Sequence, residues 1–365
     1  MSIGTVGIVG TGTMGSGIAI NLAQHGVAVR LVDARPAAAA QAVEAAERFF
    51  ERSVAKGRMT GADAAAAAAR LAVADDLAGL AGCDLVIEAV FEEFQLKARL
   101  FEQLSGLLPE DTLVATNTSC LRVSDLADHM KRPERFLGLH YFSPAAVNPI
   151  VEVVKGAQTD AAALASAMAF CRATGKQPLE VKDSFGFAIN RFFCPYTNEA
   201  ARALDDGLGS TAQIDAVARE AVGAAAGPFL VMNLIKPRIN LHAIRNLGPL
   251  GSFYAPAASM TETGEADRAW EIGEATPLEP AAEKEIADRL RAGAFLPVLQ
   301  ALDEDVTAPG GFDLGAREAL KFGRPPCALM DELGRAEVER ILEPALAAHR
   351  LKAPASLARV GSLTR

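Results

Sequence analysis

Hydrophobic residues in the first half of the chain fall into short runs that alternate with stretches of helical periodicity. Thr5 to Val9 is a β-branched run, and apolar residues then recur at helical spacing from Ile18 to Ala23. Later runs predict strands at residues 27–32, 85–88, 113–115, 136–139 and 150–154, and helices at 36–56 and 95–107. This alternation predicts an α/β domain with a doubly wound, mostly parallel sheet.

The second half of the chain has a different pattern, amphipathic helices without strands from Asp183 onward. Shifting this half by 98 positions aligns it with itself without a gap, for example Arg191 with Arg289 and Asp215 with Asp313. The pattern therefore predicts an all-α region with two repeated helical units. The expected domains are residues 1–183, 184–270 and 271–365, and the Gly- and Pro-rich segment 248–280 is expected to be a linker.

Composition narrows the classes of function. Of 365 residues, half are apolar, and 36 basic against 45 acidic residues give a net charge of −9, which disfavours nucleic acid and anionic membranes as partners. The longest apolar run, Ala221 to Ile235, is too short to span a bilayer. Five widely spaced cysteines form no C-x-x-C pair, so neither a metal site nor a disulfide framework is indicated. We expect a cytoplasmic globular protein.

The first strand ends in a glycine-rich turn, Gly10-Thr11-Gly12-Thr13-Met14-Gly15. In this pattern the first glycine makes a tight turn, the second lets the backbone approach a pyrophosphate, and the third allows close packing of helix on strand. The phosphates would lie at the helix N-terminus. Because strand, turn, helix and second strand stand in register, the sequence predicts a Rossmann dinucleotide-binding domain.

Asp33 ends the second predicted strand, where a carboxylate binds the ribose 2′-hydroxyl of a dinucleotide. A carboxylate there repels the 2′-phosphate of NADP, so NAD is the expected cofactor. Two alternatives stay open at this point: Asp33 caps the helix that starts near Pro36, or Arg35 receives a 2′-phosphate.

Polar residues that follow the predicted strands are the candidates for chemistry, since ligands gather at the carboxyl ends of the strands in such sheets. Three groups qualify: Asn117-Thr118-Ser119, His140, and Glu92 with Lys97. Of the five histidines, His140 is the one at a strand end. An imidazole exchanges a proton near neutral pH, which makes His140 a candidate general base.

Six motifs together give a specific resemblance. In order along the chain they are Gly10 to Gly15, Glu92 to Lys97, Asn117 to Cys120, His140 to Pro144, Val151 to Val153, and Gly186 to Arg191. In order and spacing, up to about Met232, they resemble the L-3-hydroxyacyl-CoA dehydrogenase family. The resemblance implies an NAD-dependent oxidation of an L-3-hydroxyacyl thioester.

The resemblance also implies roles for residues. His140 would take the proton from the substrate 3-hydroxyl, and Glu152 would fix and stabilise its imidazole. Ser119 and Asn190 would bond substrate oxygens. Without the motif spacing, Glu152 would be interpreted as a surface charge on an edge strand and Asn190 as a capping residue. Residues expected to bind the cofactor are Gly10, Gly12, Thr13, Met14, Gly15, Asp33, Glu92, Lys97 and Asn117, with Glu92 and Lys97 on the nicotinamide-ribose side.

Two residues depart from the family pattern. Ser143 stands where the family usually has asparagine, and a serine at this place resembles the branch found in multifunctional β-oxidation enzymes. Cys120 replaces the second serine of N-T-S-S. We interpret Cys120 as a small core residue. The adenosine-phosphate end of coenzyme A needs cations, for which Lys56, with Arg52 and Arg58, is the candidate, although solvated surface charge explains them almost as well.

Three other functions remain open from the sequence. The substrate could be a free 3-hydroxy acid of the gulonate type, or a thioester on a carrier protein, or the chain could be a non-enzymatic NAD-binding structural protein. The repeat adds an expectation about assembly. In single-copy members of the resembling family the helical unit pairs with its twin in another subunit, and here the same chain supplies the twin, so the protein can be a monomer. Asp288 replaces Asn190 in the second copy, so one active site per chain is expected.

Overall fold

The computed structural model describes residues 3–364. The chain divides into two compact units, Met1–Asp183 and Ser184–Arg365. The described part of the first unit contains an eight-stranded sheet in the order β3-β2-β1-β4-β5-β6-β7-β8. The strands are β1 Thr5–Val9, β2 Ala28–Val32, β3 Leu71–Val73, β4 Leu85–Glu88, β5 Leu113–Thr116, β6 Phe136–Tyr141, β7 Ile150–Lys155 and β8 Gln177–Lys182. Every pair is parallel except β6 with β7.

Helices cover this sheet and complete the core of the first unit. They are α1 Thr13–Gln24, α2 Pro36–Ala55, α3 Gly61–Ala68, α4 Phe94–Leu107, α5 Val123–Ala127 and α6 Ala161–Ala173. The central strands β1, β4 and β5 are almost continuously buried, as parallel strands covered on both faces are. The predicted doubly wound, mostly parallel sheet is confirmed.

The sequence pattern missed four elements, β3, α5, α6 and β8. β3 has only three residues, and β8 is an edge strand that carries Pro178, a residue that edge strands tolerate and that disguises a strand in the sequence. β6 is also longer than predicted. His140 lies inside this strand, because the antiparallel pairing with β7 extends to Tyr141.

The described part of the second unit is built from helices. They are α7 Ile189–Asp205, α8 Thr211–Ala221, α9 Pro228–Ile235, α10 Pro237–Asn246, α11 Ala258–Glu265, α12 Pro280–Asp303, α13 Pro309–Glu318, α14 Pro326–Leu333 and α15 Arg335–His349. The predicted helical second half is confirmed. Within residues 3–364, no helix has both the length and the apolar character needed to cross a membrane.

The 98-residue repeat of the sequence has a structural counterpart. α9 and α14 begin at equivalent positions, as do α10 and α15. In the first copy Asp215 accepts hydrogen bonds from the amides of residues 229 and 230, at 2.8 and 3.1 Å. In the second copy Asp313 accepts from the amides of residues 327 and 328, at 2.8 and 3.0 Å. Each aspartate thus satisfies the first turn of the helix that follows it.

The two copies meet about a pseudo-twofold axis. The equivalent residues Ala224 and Phe322 form an antiparallel bridge. Reciprocal hydrogen bonds flank the bridge, from the amide of residue 225 to Lys321 O (3.2 Å) and from the amide of residue 323 to Gly223 O (2.8 Å). α7 also packs on α12, where a Cβ added at Gly293 would lie 3.0 Å from Pro195 O. The contact is self-complementary, as in an isologous dimer interface.

The segment 248–280 is ordered where a linker was expected, so that prediction is wrong for most of its length. It contains α11, and Tyr254, Met260 and Trp270 are buried, with the ring of Trp270 4.9 Å from that of Phe229. One of its glycines is required by close packing, since a Cβ at Gly264 would lie 2.4 Å from the side chain of Leu241.

Candidate active site

The glycine turn joins β1 to α1 in a conformation that needs glycine. Gly10 has φ +93°, and a Cβ there would lie 2.7 Å from Ala89 O. A Cβ at Gly15 would lie 1.9 Å from Gly10 O, which explains why the helix can pack so closely on the strand. Gly12 caps α1 without a side-chain hydrogen bond, and a Cβ there would meet nothing within 4 Å. Helix α1 begins at Thr13, followed by Met14, and its N-terminus is therefore open to an anion such as a pyrophosphate.

Asp33 lies directly after β2 and is tied to this turn. Its Oδ2 accepts hydrogen bonds from Thr11 N (2.8 Å) and Thr11 Oγ1 (3.0 Å), and its Oδ1 accepts from Arg35 N (3.0 Å). Burial opposes ionisation, but these hydrogen bonds outweigh it and lower the pKa of Asp33. The carboxylate stays charged beside the open turn, an arrangement that fits the ribose of NAD.

A buried ionic cluster lies at the carboxyl end of β4. Lys97, on α4, is 1% exposed, and its Nζ lies 2.7 Å from Glu88 Oε1 and 3.0 Å from Glu92 Oε2. Glu88 is fully buried and also accepts from Val90 N (2.7 Å) and Thr116 Oγ1 (2.6 Å). Burial disfavours the ammonium, but the two carboxylates raise the pKa of Lys97. Lys97 therefore lies beneath the site surface, in contact with carboxylates.

Glu92 connects this cluster to the loop after β5. Its Oε1 accepts from Thr118 Oγ1 (2.5 Å), Ser119 N (2.7 Å) and Cys120 N (3.2 Å). Burial opposes ionisation, but Lys97 and these hydrogen bonds lower the pKa of Glu92 to about 2. The carboxylate thus fixes the position of Ser119. Cys120 is buried, with its Sγ 3.3 Å from Glu92 Oε1.

His140 and Glu152 form a buried pair across β6 and β7. They are directly opposed in the antiparallel register, with His140 Nδ1 2.7 Å from Glu152 Oε2. Glu152 is fully buried, so it is not a surface charge, and His140 is 5% exposed. The ring of Phe142 lies 4.4 Å from that of His140. Asn117 holds the same strand, because its Oδ1 accepts from Tyr141 N at 2.9 Å.

Two of the remaining candidates lie on helix ends. Asn190 is at the second position of α7 in the second unit, in the first turn of the helix. Lys56 is the C-cap residue of α2 and is exposed. Among the predicted site residues, the structure brings Glu92 into direct contact with Ser119, and His140 into direct contact with Glu152.

Sequence reasoning did not select Glu88 or Thr116 as site residues. Glu88 and Thr116 end strands that are buried on both faces, so alternation could not show which way their side chains point. The signal that could have identified Glu88 was its place at the end of an apolar run, with Lys97 nine positions later. A buried carboxylate needs such a partner.

Comparison with known proteins agrees with this geometry. Residues 5–184 match the family model described as the NAD binding domain of 3-hydroxyacyl-CoA dehydrogenase, which confirms NAD as the cofactor, and residues 186–273 match the C-terminal domain of the same family. A 3-hydroxyadipyl-CoA dehydrogenase of Escherichia coli K12 is 37% identical over 240 residues, which are 66% of this chain and 50% of that protein. The chain thus matches about half the length of this curated relative.

Solved structures extend the comparison. An (S)-3-hydroxybutyryl-CoA dehydrogenase of Ralstonia eutropha is 34% identical, with a TM-score of 0.72, over 75% of this chain and 100% of that one. A 3-hydroxybutyryl-CoA dehydrogenase of Escherichia coli K12 shares the fold over 100% of this chain and 99% of that one, with a TM-score of 0.89 at 24% identity. On these matches and the site described above, the chain belongs to the 3-hydroxyacyl-CoA dehydrogenase family.

Proposed function

We propose that the protein catalyses the reversible, NAD-dependent oxidation of an L-3-hydroxyacyl thioester to the 3-oxoacyl thioester. The buried pair of His140 and Glu152 carries the proposal. A histidine whose Nδ1 is bound to a buried carboxylate is held in one tautomer and is stabilised when it becomes an imidazolium. A structural NAD-binding protein without turnover has no need of such a pair.

His140 acts as the general base in this proposal. Because Nδ1 is bound to Glu152, we assign proton transfer to Nε2, which takes the proton of the 3-hydroxyl. NAD, when bound, accepts the hydride that leaves C3. The carboxylate of Glu152 offsets the positive charge that develops on the ring. In the reverse direction the imidazolium returns the proton to the forming alkoxide.

Ser119 and Asn190 bind substrate oxygens in the proposal. Glu92 and Lys97 support the first assignment, because they fix the loop that presents Ser119. We therefore assign Lys97 to positioning rather than to direct contact with the cofactor. Asn190 is supported by its motif and by its place in the first turn of α7, where the helix dipole favours a developing negative charge.

The thioester is proposed to be carried by coenzyme A. The relatives described above are named for 3-hydroxyadipyl-CoA and 3-hydroxybutyryl-CoA, which supports short acyl groups on this carrier. Lys56 at the end of α2, with Arg52, is proposed to meet the phosphates at the adenosine end. A carrier-protein thioester and a free hydroxy acid are the competing substrates.

The test follows the absorbance of NADH in the presence of acetoacetyl-CoA, acetoacetyl carrier protein and, in the oxidative direction with NAD, free L-gulonate. We expect rapid oxidation of NADH with acetoacetyl-CoA and a rate at least tenfold lower with the other two. Turnover confined to gulonate would contradict the thioester assignment. Equal rates for His140→Ala and the wild type would contradict the role of the base.

A further inference from the structure

A buried lysine lies against the connection between the two strands that carry His140 and Glu152. Lys176, directly before β8, is 5% exposed. Its Nζ donates hydrogen bonds to Ala145 O (2.7 Å) and Asn148 O (2.6 Å). Across residues 3–364 this ammonium has no carboxylate partner, and burial lowers the pKa of Lys176 to about 8. A charged group is thus kept in a desolvated position where its polar partners are two backbone carbonyls.

Both carbonyls belong to one loop, residues 142–149, which we call the β6–β7 connection. It leaves β6 directly after Tyr141 and enters β7 at Ile150. The amides of residues 147 and 148 donate to Pro144 O, which closes a turn within it. The Lys176 Nζ lies 6.0 Å from the centre of the Tyr141 ring, so the lysine also touches the residue next to His140.

The β6–β7 connection packs against the helix that follows the glycine turn. A Cβ added at Gly17 of α1 would lie 3.1 Å from Ala145 Cβ and 3.4 Å from Ala146 N. The connection therefore has two supports, Gly17 of α1 and the ammonium of Lys176. Through these supports it joins the helix of the dinucleotide turn to the strands of the His–Glu pair.

We propose that Lys176 is a positioning residue that sets the distance between the imidazole of His140 and the dinucleotide turn by fixing the β6–β7 connection against α1. The catalytic part of this inference rests on the proposed function. Its structural part does not, since the connection is held by the lysine whatever the substrate is. A lysine kept only for packing could be replaced by methionine, which has a similar length, without changing the connection. Loss of the two hydrogen bonds, by contrast, leaves the buried carbonyl of Ala145 and the partly buried carbonyl of Asn148 without this donor.

The experiment compares the wild type with Lys176→Met and with Lys155→Met, an exposed lysine at the end of β7. Hydrogen–deuterium exchange measures the β6–β7 connection directly. We expect exchange in peptides spanning residues 142–149 to be at least fivefold faster in Lys176→Met, with β4 unchanged and Lys155→Met like the wild type.

Kinetics supply the second readout. A displacement of about 1 Å between reacting groups lowers the rate by up to about 100-fold. We expect kcat with acetoacetyl-CoA to fall by about 10- to 100-fold in Lys176→Met, while KM and the dissociation constant for NADH change less than threefold. Unchanged exchange together with unchanged kcat would overturn the proposal. A uniform rise of exchange over the whole first unit would also overturn it, because the lysine would then support stability alone.

Gly17→Ala provides an independent perturbation if Lys176→Met does not fold. The added methyl group would press on Ala145, and the same peptides should exchange faster while the thermal unfolding temperature stays within a few degrees. No change in these peptides would contradict the support of the connection by α1. If the wild type turns over no hydroxyacyl thioester, the proposed function fails, and the exchange data still decide the role of Lys176.

Discussion

His140 and Glu152 are directly opposed across the antiparallel pair β6 and β7, with Nδ1 and Oε2 2.7 Å apart. The other strand pairs of the described sheet are parallel. The geometry of the pair is therefore set by strand register as well as by side-chain conformation. A slip of one residue would turn Glu152 to the opposite face of the sheet.

Removal of either member of this pair should lower turnover. We expect His140→Ala to reduce kcat by roughly 10² to 10⁴-fold with NADH binding intact, because proton transfer by a positioned side chain contributes about that much. Glu152→Gln should also reduce kcat without unfolding the protein. Steady-state kinetics and NADH fluorescence titration check both.

The matched control for these variants is His129→Ala. His129 Nδ1 lies 2.8 Å from Glu102 Oε1, a similar pair at an exposed position. It should leave kcat within twofold of the wild type. Near-normal turnover in His140→Ala would rule out the assigned base.

Cofactor preference should depend on Asp33. Its carboxylate accepts three short hydrogen bonds and stays charged, so it repels a 2′-phosphate while accepting from a 2′-hydroxyl. We expect kcat/KM for NADH to exceed that for NADPH by well over tenfold, and Asp33→Ser to reduce this ratio. Equal efficiency of the two cofactors in the wild type would refute the role of Asp33.

Acid stability should depend on Glu92. Its pKa is about 2 in the folded protein, below the usual 4.5, so its ionised form stabilises the fold above pH 4.5. That stability is lost as pH falls from 4.5 towards 2. Glu92→Gln should therefore reduce the drop in the free energy of unfolding between pH 5 and 3, measured by urea denaturation. Glu93→Gln, at an exposed position, is the control and should show the same pH dependence of the free energy of unfolding as the wild type. The same pH dependence in Glu92→Gln as in the wild type would contradict a stabilising role of the ionised Glu92.

The ionic cluster should fail if its cation is removed. Lys97→Met leaves the carboxylates of Glu88 and Glu92 without their common partner, and we expect a loss of about 3–5 kcal/mol in the free energy of unfolding. The double variant Glu88→Gln with Lys97→Met should recover part of the loss. Lys56→Met, at an exposed position, should change the free energy of unfolding by less than about 0.5 kcal/mol. A Lys97→Met protein as stable as the wild type would show that the cluster is not required.

Truncation before Pro280 should change the oligomeric state. Helix α12 of the second copy packs on α7 of the first, and residues 292–299 of α12 are buried. We expect the full-length chain to need no dimer through this surface, and the truncated chain to dimerise or aggregate through the exposed apolar face. Light scattering on both proteins decides this. A truncated chain that stays monomeric, stable and active would mean that the second copy does not protect the first.

The sequence predicted those parts of the molecule in which a local pattern determines the structure. Thr5–Val9 and Leu85–Glu88 are apolar runs bounded by polar residues or glycine, and both strands have the predicted bounds. The glycine turn was also predictable, since a left-handed residue and close approaches demand glycine at fixed positions. The family fold followed from motif order.

Long-range contacts were not predictable in the same way. The pairing of Lys97 with Glu88 depends on which face of a fully buried strand the glutamate points to. The hydrogen bonds from Lys176 to residues 145 and 148 join segments about 30 positions apart, and no periodicity signals them. The segment 248–280 was misinterpreted because Gly and Pro are typical of linkers, whereas this segment buries Tyr254, Met260 and Trp270 and packs closely at Gly264.

The bridge between Ala224 and Phe322 joins two equivalent positions of the 98-residue repeat. In a dimer of identical subunits every substitution occurs on both sides of the axis, so a change that helps one side alone is not available. Fusion of the two units in one polypeptide removes that restriction. Asp288 shows the result: it occupies the place of Asn190, but in the middle of a helix, and it is engaged by Arg340 at 2.8 and 2.9 Å. The second copy could thus change at this position, while the first copy kept Asn190, the residue proposed to bind substrate.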